Sequence, residues 1–314
     1  MIIGGTEVNP GERHEGYLNI AEKDEFYQIP FIAVNGALSG KIIAILGGTH
    51  GTEYAGIEAV LRVMRELDPN QMSGAVIAVP VVNVPQFRHR TQFTSPIDGV
   101  NLNNVYPGDP EGSFTHRLAH LVFQDVVSKA DALIDCHGGD LNEDIRGFVV
   151  ASKGPDEELN RVSLEMASCY PCELVHVFPA NPVGMGNSAQ VVYGIPCIQP
   201  EAGTPVPTRE EDVQFHIDGM LNVLKYFGVT EGEPRRMKQH VSPDRLRLQS
   251  EINGIWHPRV YLDQNVRKGD LLGTVSNLLG VEVQQVKAPE DGTVSMMRSH
   301  YSVRKDELLL IVST

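Results

Sequence analysis

Two short segments of the chain carry side chains able to hold a metal ion. The first runs Gly47-Gly-Thr-His50-Gly-Thr-Glu53-Tyr-Ala-Gly56, after an apolar run and before an amphipathic one, the pattern of a strand that opens into a helix. It lacks the Lys-Ser/Thr of a phosphate-binding loop, and its glycines miss the dinucleotide spacing G-x-G-x-x-G. What it does contain is His50-x-x-Glu53. An imidazole and a carboxylate three residues apart can converge on one point, and the C-terminal ends of strands are where open α/β sheets bind ligands. Alone, the pair reads more simply as a loop histidine and a glutamate favoured by a helix N-terminus. The second segment, Ala132-Leu-Ile-Asp-Cys-His137-Gly-Gly139, repeats the arrangement: an apolar strand that ends in a histidine and two glycines. Two strands that each deliver a histidine to the same edge, together with Glu53, make a His₂Glu set with an open fourth position. That is the donor set of catalytic zinc. The expectation is one Zn²⁺ per chain, held by His50, Glu53 and His137.

Other constellations explain less. His116 and His120 have the i, i+4 spacing of a metal pair but stand off the apolar stripe of Leu118, Leu121 and Val122, so surface positions are expected for them. Cys169-Tyr-Pro-Cys172 follows a helical pattern instead of opening one, which removes the helix N-terminus that would stabilise a thiolate. Gly186-Asn-Ser188 lacks the G-x-S-x-G elbow of a serine hydrolase.

The elements that must position the metal ligands are legible as an alternation of short β-branched runs with helical patterns. Strands are expected at Lys41 to Leu46, Ala75 to Val82, Ala132 to Cys136, Gly147 to Ala151, Leu174 to Val177 and Ile195 to Gln199. Helices are expected at Glu53 to Glu66, Phe114 to Lys129, Asp156 to Ala167 and Arg209 to Tyr226. The strands are mostly continuous apolar runs, as buried parallel strands should be. The fold class is therefore α/β, with a largely parallel, mixed sheet covered by helices on both faces. Residues up to about Ile32 read as an irregular lead-in.

After Tyr226, Gly, Pro and charge replace apolar periodicity, which reads as a linker. The expected domains are 1–240 and 241–314. The second holds an internal repeat, Val266-Arg-Lys-Gly-Asp-Leu-Leu-Gly-Thr-Val275 against Val303-Arg-Lys-Asp-Glu-Leu-Leu-Leu-Ile-Val312, which implies a pseudo-symmetric β unit. It resembles a biotinyl/lipoyl-type barrel-sandwich. The tip between its halves, Asn277 to Val281, has no lysine to carry a cofactor, and Lys287 stands at a strand end.

Composition narrows the partners. Twenty-six Lys+Arg against 40 Asp+Glu leave a net charge of −14, which opposes nucleic acid and anionic lipid. No apolar stretch approaches the roughly 18 to 20 residues that span a bilayer, and the N-terminus lacks a basic and then apolar signal pattern. Four unevenly spaced cysteines are too few for a disulfide framework. A cytoplasmic protein with a small-molecule substrate is expected, and self-association into a homo-oligomer stays open.

His50-x-x-Glu53, the stretch Asn83 to Gly108, Asp135-Cys-His137-Gly-Gly and Pro200-Glu201-Ala-Gly together resemble the succinylglutamate desuccinylase/aspartoacylase family. These are zinc amidohydrolases related in fold to the zinc carboxypeptidases. The resemblance implies zinc on His50, Glu53 and His137, and a catalytic base at Glu201. The Asn83 to Gly108 stretch has no helical or strand periodicity and reads as a substrate loop. Arg90 is the candidate to hold the carbonyl oxygen, with Arg88 its rival and Asn103 and Asn104 further substrate contacts. Where the family usually has Asp-Leu-Asn-Arg, this chain has Asn101-Leu-Asn103-Asn104. Asn104 cannot make an arginine's charged clamp on a carboxylate, which argues against N-acyl-aspartate and succinylglutamate as substrates; Arg146 and Arg209 are the cations that could replace it. Asn101 stands where an acid would orient a metal-bound histidine, and its carbonyl oxygen can accept the same hydrogen bond. The expected activity is zinc-dependent hydrolysis of the C–N amide bond of a small N-acylated amine or amino acid. A carboxypeptidase acting on short peptides and a non-catalytic binding module that keeps the pocket are the alternatives.

Overall fold

The computed structural model describes residues 1–179, 184–242 and 245–314. The chain forms two compact units: Met1–Leu141 with Gly147–His240, and Asn142–Arg146 with Val241–Thr314. The division near residue 240 thus comes with a short excursion, residues 142–146, into the second unit.

The first unit holds strands β1 (Glu12–Glu22), β2 (Glu25–Asn35) and β3 (Leu38–Gly47), helix α1 (Tyr54–Glu66), β4 (Ser73–Val79), α2 (Val84–His89), α3 (Phe114–Asp125) and β5 (Ala132–Cys136). It continues through β6 (Glu143–Lys153, in this unit from Gly147), α4 (Glu157–Ser168), β7 (Leu174–Pro179), α5 (Met185–Tyr193), β8 (Cys197–Gly203) and α6 (Glu210–Tyr226). The strand order is β7-β6-β8-β5-β3-β4-β2-β1. The centre is parallel, β3 pairing with β4 and β5, and β5 with β8; β2 and β1 close one side antiparallel.

Successive residues of a strand point to opposite faces, and both faces are apolar here. Ile43 and Ile45 enter one core with residues of α1, α4 and α6, while Ala44 and Leu46 enter the other with residues of α3 and α5. Each central strand is therefore buried on both sides, which is why it reads as a continuous apolar run.

The lead-in is not irregular. Glu12–Glu22 and Glu25–Asn35 pair along their whole length, from Glu12↔Asn35 to Glu22↔Glu25. Exposed charged residues dilute the apolar alternation, while Leu18, Ile20, Ile29, Phe31 and Ala33 enter one core and Ile32 and Val34 the other. The substrate stretch is also more ordered than its composition suggests. It contains α2, whose start Asn83 caps through Oδ1, and a 3-10 turn at Leu102–Asn104. Helix α5 had no expectation attached to it. His116 and His120 are half-buried. The linker stretch, of which residues 243–244 lie outside the described ones, is anchored where Val229 is buried and its carbonyl accepts from Ser73.

The second unit contains β9 (Arg245–Gln249), β10 (Gly254–Pro258), β11 (Leu271–Ser276), β12 (Glu282–Lys287), β13 (Gly292–Arg298) and β14 (Leu308–Ser313). Two antiparallel sheets, β12-β11-β10 and β9-β14-β13, share one core around Trp256, Val275 and Val312. Residues Glu143–Ile145 pair with Met296–Arg298, which draws the start of β6 into this unit. The sequence repeat is a structural one. Gly269 and Asp306 occupy matching turns with φ of +91° and +66°, donating to Ala288 O at 2.8 Å and Ser250 O at 2.7 Å.

Candidate metal centre

Both expected ligand segments end at the same sheet edge because β3 and β5 are parallel neighbours, with Gly47 opposite Cys136. Beyond Gly47 the chain turns through Gly48, at φ +64°, and Glu53 precedes the first turn of α1. His50, Glu53 and His137 are all buried, and a ligand atom from each lies within 4.8 Å of the others.

Glu53 is the hub. Its Oε1 lies 2.8 Å from His50 Nδ1 and its Oε2 3.0 Å from His137 Nδ1; Oε2 also accepts the backbone N–H of Gly138 at 3.1 Å. The far nitrogens have their own partners. His50 Nε2 lies 3.1 Å from Asn101 Oδ1, an oxygen oriented by accepting Asn103 N–H at 3.0 Å. His137 Nε2 lies 2.9 Å from Asp135 Oδ2, while Asp135 Oδ1 accepts the Thr49 hydroxyl at 2.9 Å. Both Nε2 atoms thus face acceptors and carry the proton, which leaves the two Nδ1 atoms and the carboxylate as the converging donors.

The electrostatics are those of a site that a cation would complete. Burial opposes charge on His50, but the Glu53 carboxylate outweighs it and pushes the imidazole up to about 9. Burial likewise opposes charge on His137, where Asp135 and Glu53 override it and raise the imidazole well above its ordinary value. Glu53, which burial alone would raise, is held at about 2 by the two imidazoles. Without a metal, protons on Nδ1 neutralise the buried carboxylates. A divalent cation can replace them, so the donor set fits zinc.

The glycines beside the histidines are close-approach positions. A Cβ on Gly51 would lie 2.3 Å from the Phe87 nitrogen, and one on Gly138 would lie 2.3 Å from the Ala202 carbonyl oxygen. The second contact brings β8 against His137, whose backbone forms a parallel bridge to Glu201. Glu201 is half-buried within β8, not beyond its end, and stands beside the ligand in the sheet.

The proposed substrate residues are more scattered. Arg88 lies in the last turn of α2 and Arg90 follows the helix in the left-handed conformation, φ +53°; both are exposed, and neither belongs to the group at Glu53. Asn103 Oδ1 accepts Met185 N–H at 3.4 Å, and Asn104 is exposed. Arg146 pairs with Asp263 at 2.8 Å and Arg209 with Asp212 at 2.7 Å. Asp135, Thr49 and Phe93 had no assigned roles; the signal for Asp135 was its place two residues before His137 on a strand, hence on the same face.

The family model described as the succinylglutamate desuccinylase/aspartoacylase catalytic domain matches residues 39–227. The chain belongs to this family. Membership makes it a hydrolase acting on amide bonds. A relative from Halomonas elongata, an N-α-acetyl-L-2,4-diaminobutyric acid deacetylase, is 29% identical over 282 residues, covering 87% of this chain and 82% of the relative. The product-bound ectoine utilization protein EutE (DoeB) from Ruegeria pomeroyi superposes with a TM-score of 0.90 at 24% identity, over 98% of this chain and 97% of the other. A succinylglutamate desuccinylase/aspartoacylase from Rhodobacter sphaeroides gives 0.88 at 25% identity with the same coverage. Like these family members, the chain has a mixed α/β fold. Among the described residues, no helix is long and apolar enough to cross a membrane.

Proposed function

We propose that the chain is a zinc-dependent deacylase that cleaves the amide bond of a small N-acylated amino acid or amine. The observation that carries this reading is the convergence of His50 Nδ1, His137 Nδ1 and the Glu53 carboxylate at one buried point. His50, Glu53 and His137 would hold the metal, which when bound supplies Lewis acidity to the site. Asn101 and Asp135 keep the two imidazoles in the tautomer that offers Nδ1. Glu201, placed beside His137 by the β5–β8 pairing, is the general base. It takes a proton from water as the water oxygen bonds to the acyl carbon, and returns it to the nitrogen as the C–N bond breaks. Arg90 remains the proposed partner of the carbonyl oxygen, and Arg88, Asn103 and Asn104 the proposed substrate contacts.

The substrate named for the Halomonas relative, an N-acetylated diamino acid, is the first class to test. Asn104 and the ion pairs already made by Arg146 and Arg209 favour amides without a carboxylate at the subsite that an arginine would clamp. The second unit is read as a barrel-sandwich with a structural role, since its exposed tip at Leu278 and Leu279 has no lysine. The experiment is metal analysis of the purified chain followed by assay of amine release from N-α-acetyl-L-2,4-diaminobutyrate, N-acetylaspartate, succinylglutamate and short peptides. About one zinc per chain and release from an acylated amine are expected; cleavage of peptides alone would replace the reading with a carboxypeptidase.

A further inference from the structure

Two buried polar side chains rivet the segment Thr91–Thr94 to the loop between His50 and Glu53. Gln86 Oε1 accepts Gly51 N–H at 3.0 Å, while its Nε2 donates to Thr91 O at 2.8 Å. Asp140, three residues beyond His137, accepts the Thr52 hydroxyl on Oδ1 at 2.5 Å and Phe93 N–H on Oδ2 at 2.7 Å. Both side chains have no exposed surface. They tie residues 51 and 52 to residues 91 and 93, one bridge beside the other, across strands and loops distant in sequence. Phe93 is held between them at φ +54°, a conformation that costs a bulky residue energy unless its surroundings impose it. Its ring meets His50 edge-on, with centroids 5.8 Å apart and planes at 79°. Phe93 is itself only half-buried.

We propose that Phe93 is a specificity-determining wall of the metal centre that restricts the acyl group to a short one, and that Asp140 and Gln86 are the positioning residues that fix it. The inference rests on the deacylase reading above and deepens it. The backbone that carries this ring cannot move aside for a longer chain without breaking a hydrogen bond to a buried side chain at Phe93 N–H or Thr91 O. A short acyl group meets no such conflict.

The test measures kcat/KM for acetyl, butyryl and hexanoyl amides of one amine, with metal content and melting temperature recorded for each protein. The wild type should favour acetyl. Phe93→Ala should raise the hexanoyl-to-acetyl ratio by at least about 10-fold, the scale on which pockets discriminate methylenes. Phe93→Tyr should preserve the wild-type ratio. Asp140→Asn keeps the volume but loses one acceptor, and should shift the ratio in the same direction as Phe93→Ala while zinc is retained. An unchanged ratio in metal-loaded, folded Phe93→Ala overturns the inference and leaves the deacylase reading intact. No turnover of any acyl amide by the wild type overturns both.

Discussion

Asp135 Oδ2 lies 2.9 Å from His137 Nε2, and the two residues stand at i and i+2 at the end of one strand. Side chains two apart on a strand share a face, so the backbone itself delivers the carboxylate to the ring. Asp135 is fully buried, its other oxygen accepts from Thr49, and Oδ2 also accepts from Gln199 at 3.3 Å, so the carboxylate that faces the imidazole is held on both oxygens. Replacing Asp135 with Asn should weaken zinc binding by about 10- to 100-fold, the usual effect of losing an outer-shell partner. Competition with a chromogenic chelator measures this; an affinity equal to wild type would show that the ring is oriented by other means.

His50→Ala and His137→Ala each remove one of the three proposed donors, the third being Glu53. Both should leave the purified protein essentially without zinc by elemental analysis, while Arg90→Ala should keep it. Full occupancy in both histidine variants would sink the ligand assignment.

Glu201→Gln keeps the side chain's shape and loses its basicity. Turnover should fall by about 10²- to 10⁴-fold with zinc content unchanged, because Glu201 stands on β8 and is not a member of the cluster at Glu53. Loss of zinc with normal activity per remaining metal would make Glu201 a ligand instead.

The pH dependence of the metal-free protein follows from the same cluster. His50 is raised from 6.5 to about 9 by Glu53, so its stabilisation is complete below about 6.5 and is lost as pH rises through 9. Glu53 is lowered from 4.5 to about 2, so its contribution is complete above about 4.5 and is lost as pH falls toward 2. The metal-free chain should therefore melt at a higher temperature at pH 5.5 than at pH 8.5. Zinc must displace the imidazole protons, so its binding at pH 7 should release protons, read by titration calorimetry in buffers of different ionisation enthalpy. Binding without proton release would contradict the protonated state assigned to the metal-free protein.

Gly138→Ala tests the contact between β5 and β8. Its Cβ would lie 2.3 Å from Ala202 O, a backbone atom that moves only if the strand carrying Glu201 moves. The variant should lose about 1 to 3 kcal/mol of stability, as overpacked sites do, and lose activity more than zinc. Wild-type melting and turnover together would show that the edge tolerates the displacement.

Much of this molecule is written in local pattern. The run Ala132 to Cys136 is apolar at every residue except Asp135, and β5 occupies those five residues, because a strand buried on both faces leaves no polar position except where a partner awaits. His50 and His137 were legible for a related reason: each comes just after the end of an apolar strand, and parallel neighbours end at one edge, while Glu53 stands three residues after His50 and ahead of α1. The first hairpin was not legible. Its strands expose charge along one face, and their pairing from Glu12↔Asn35 to Glu22↔Glu25 depends on partners that no short window contains. The same holds for Gln86, Phe93 and Asp140. Each is an unremarkable polar or aromatic residue in the sequence, and each gains its role from a hydrogen bond or ring contact to a distant segment. Periodicity encodes which face of an element is buried; which buried polar groups then meet is decided only when the sheet closes and leaves no water to satisfy them.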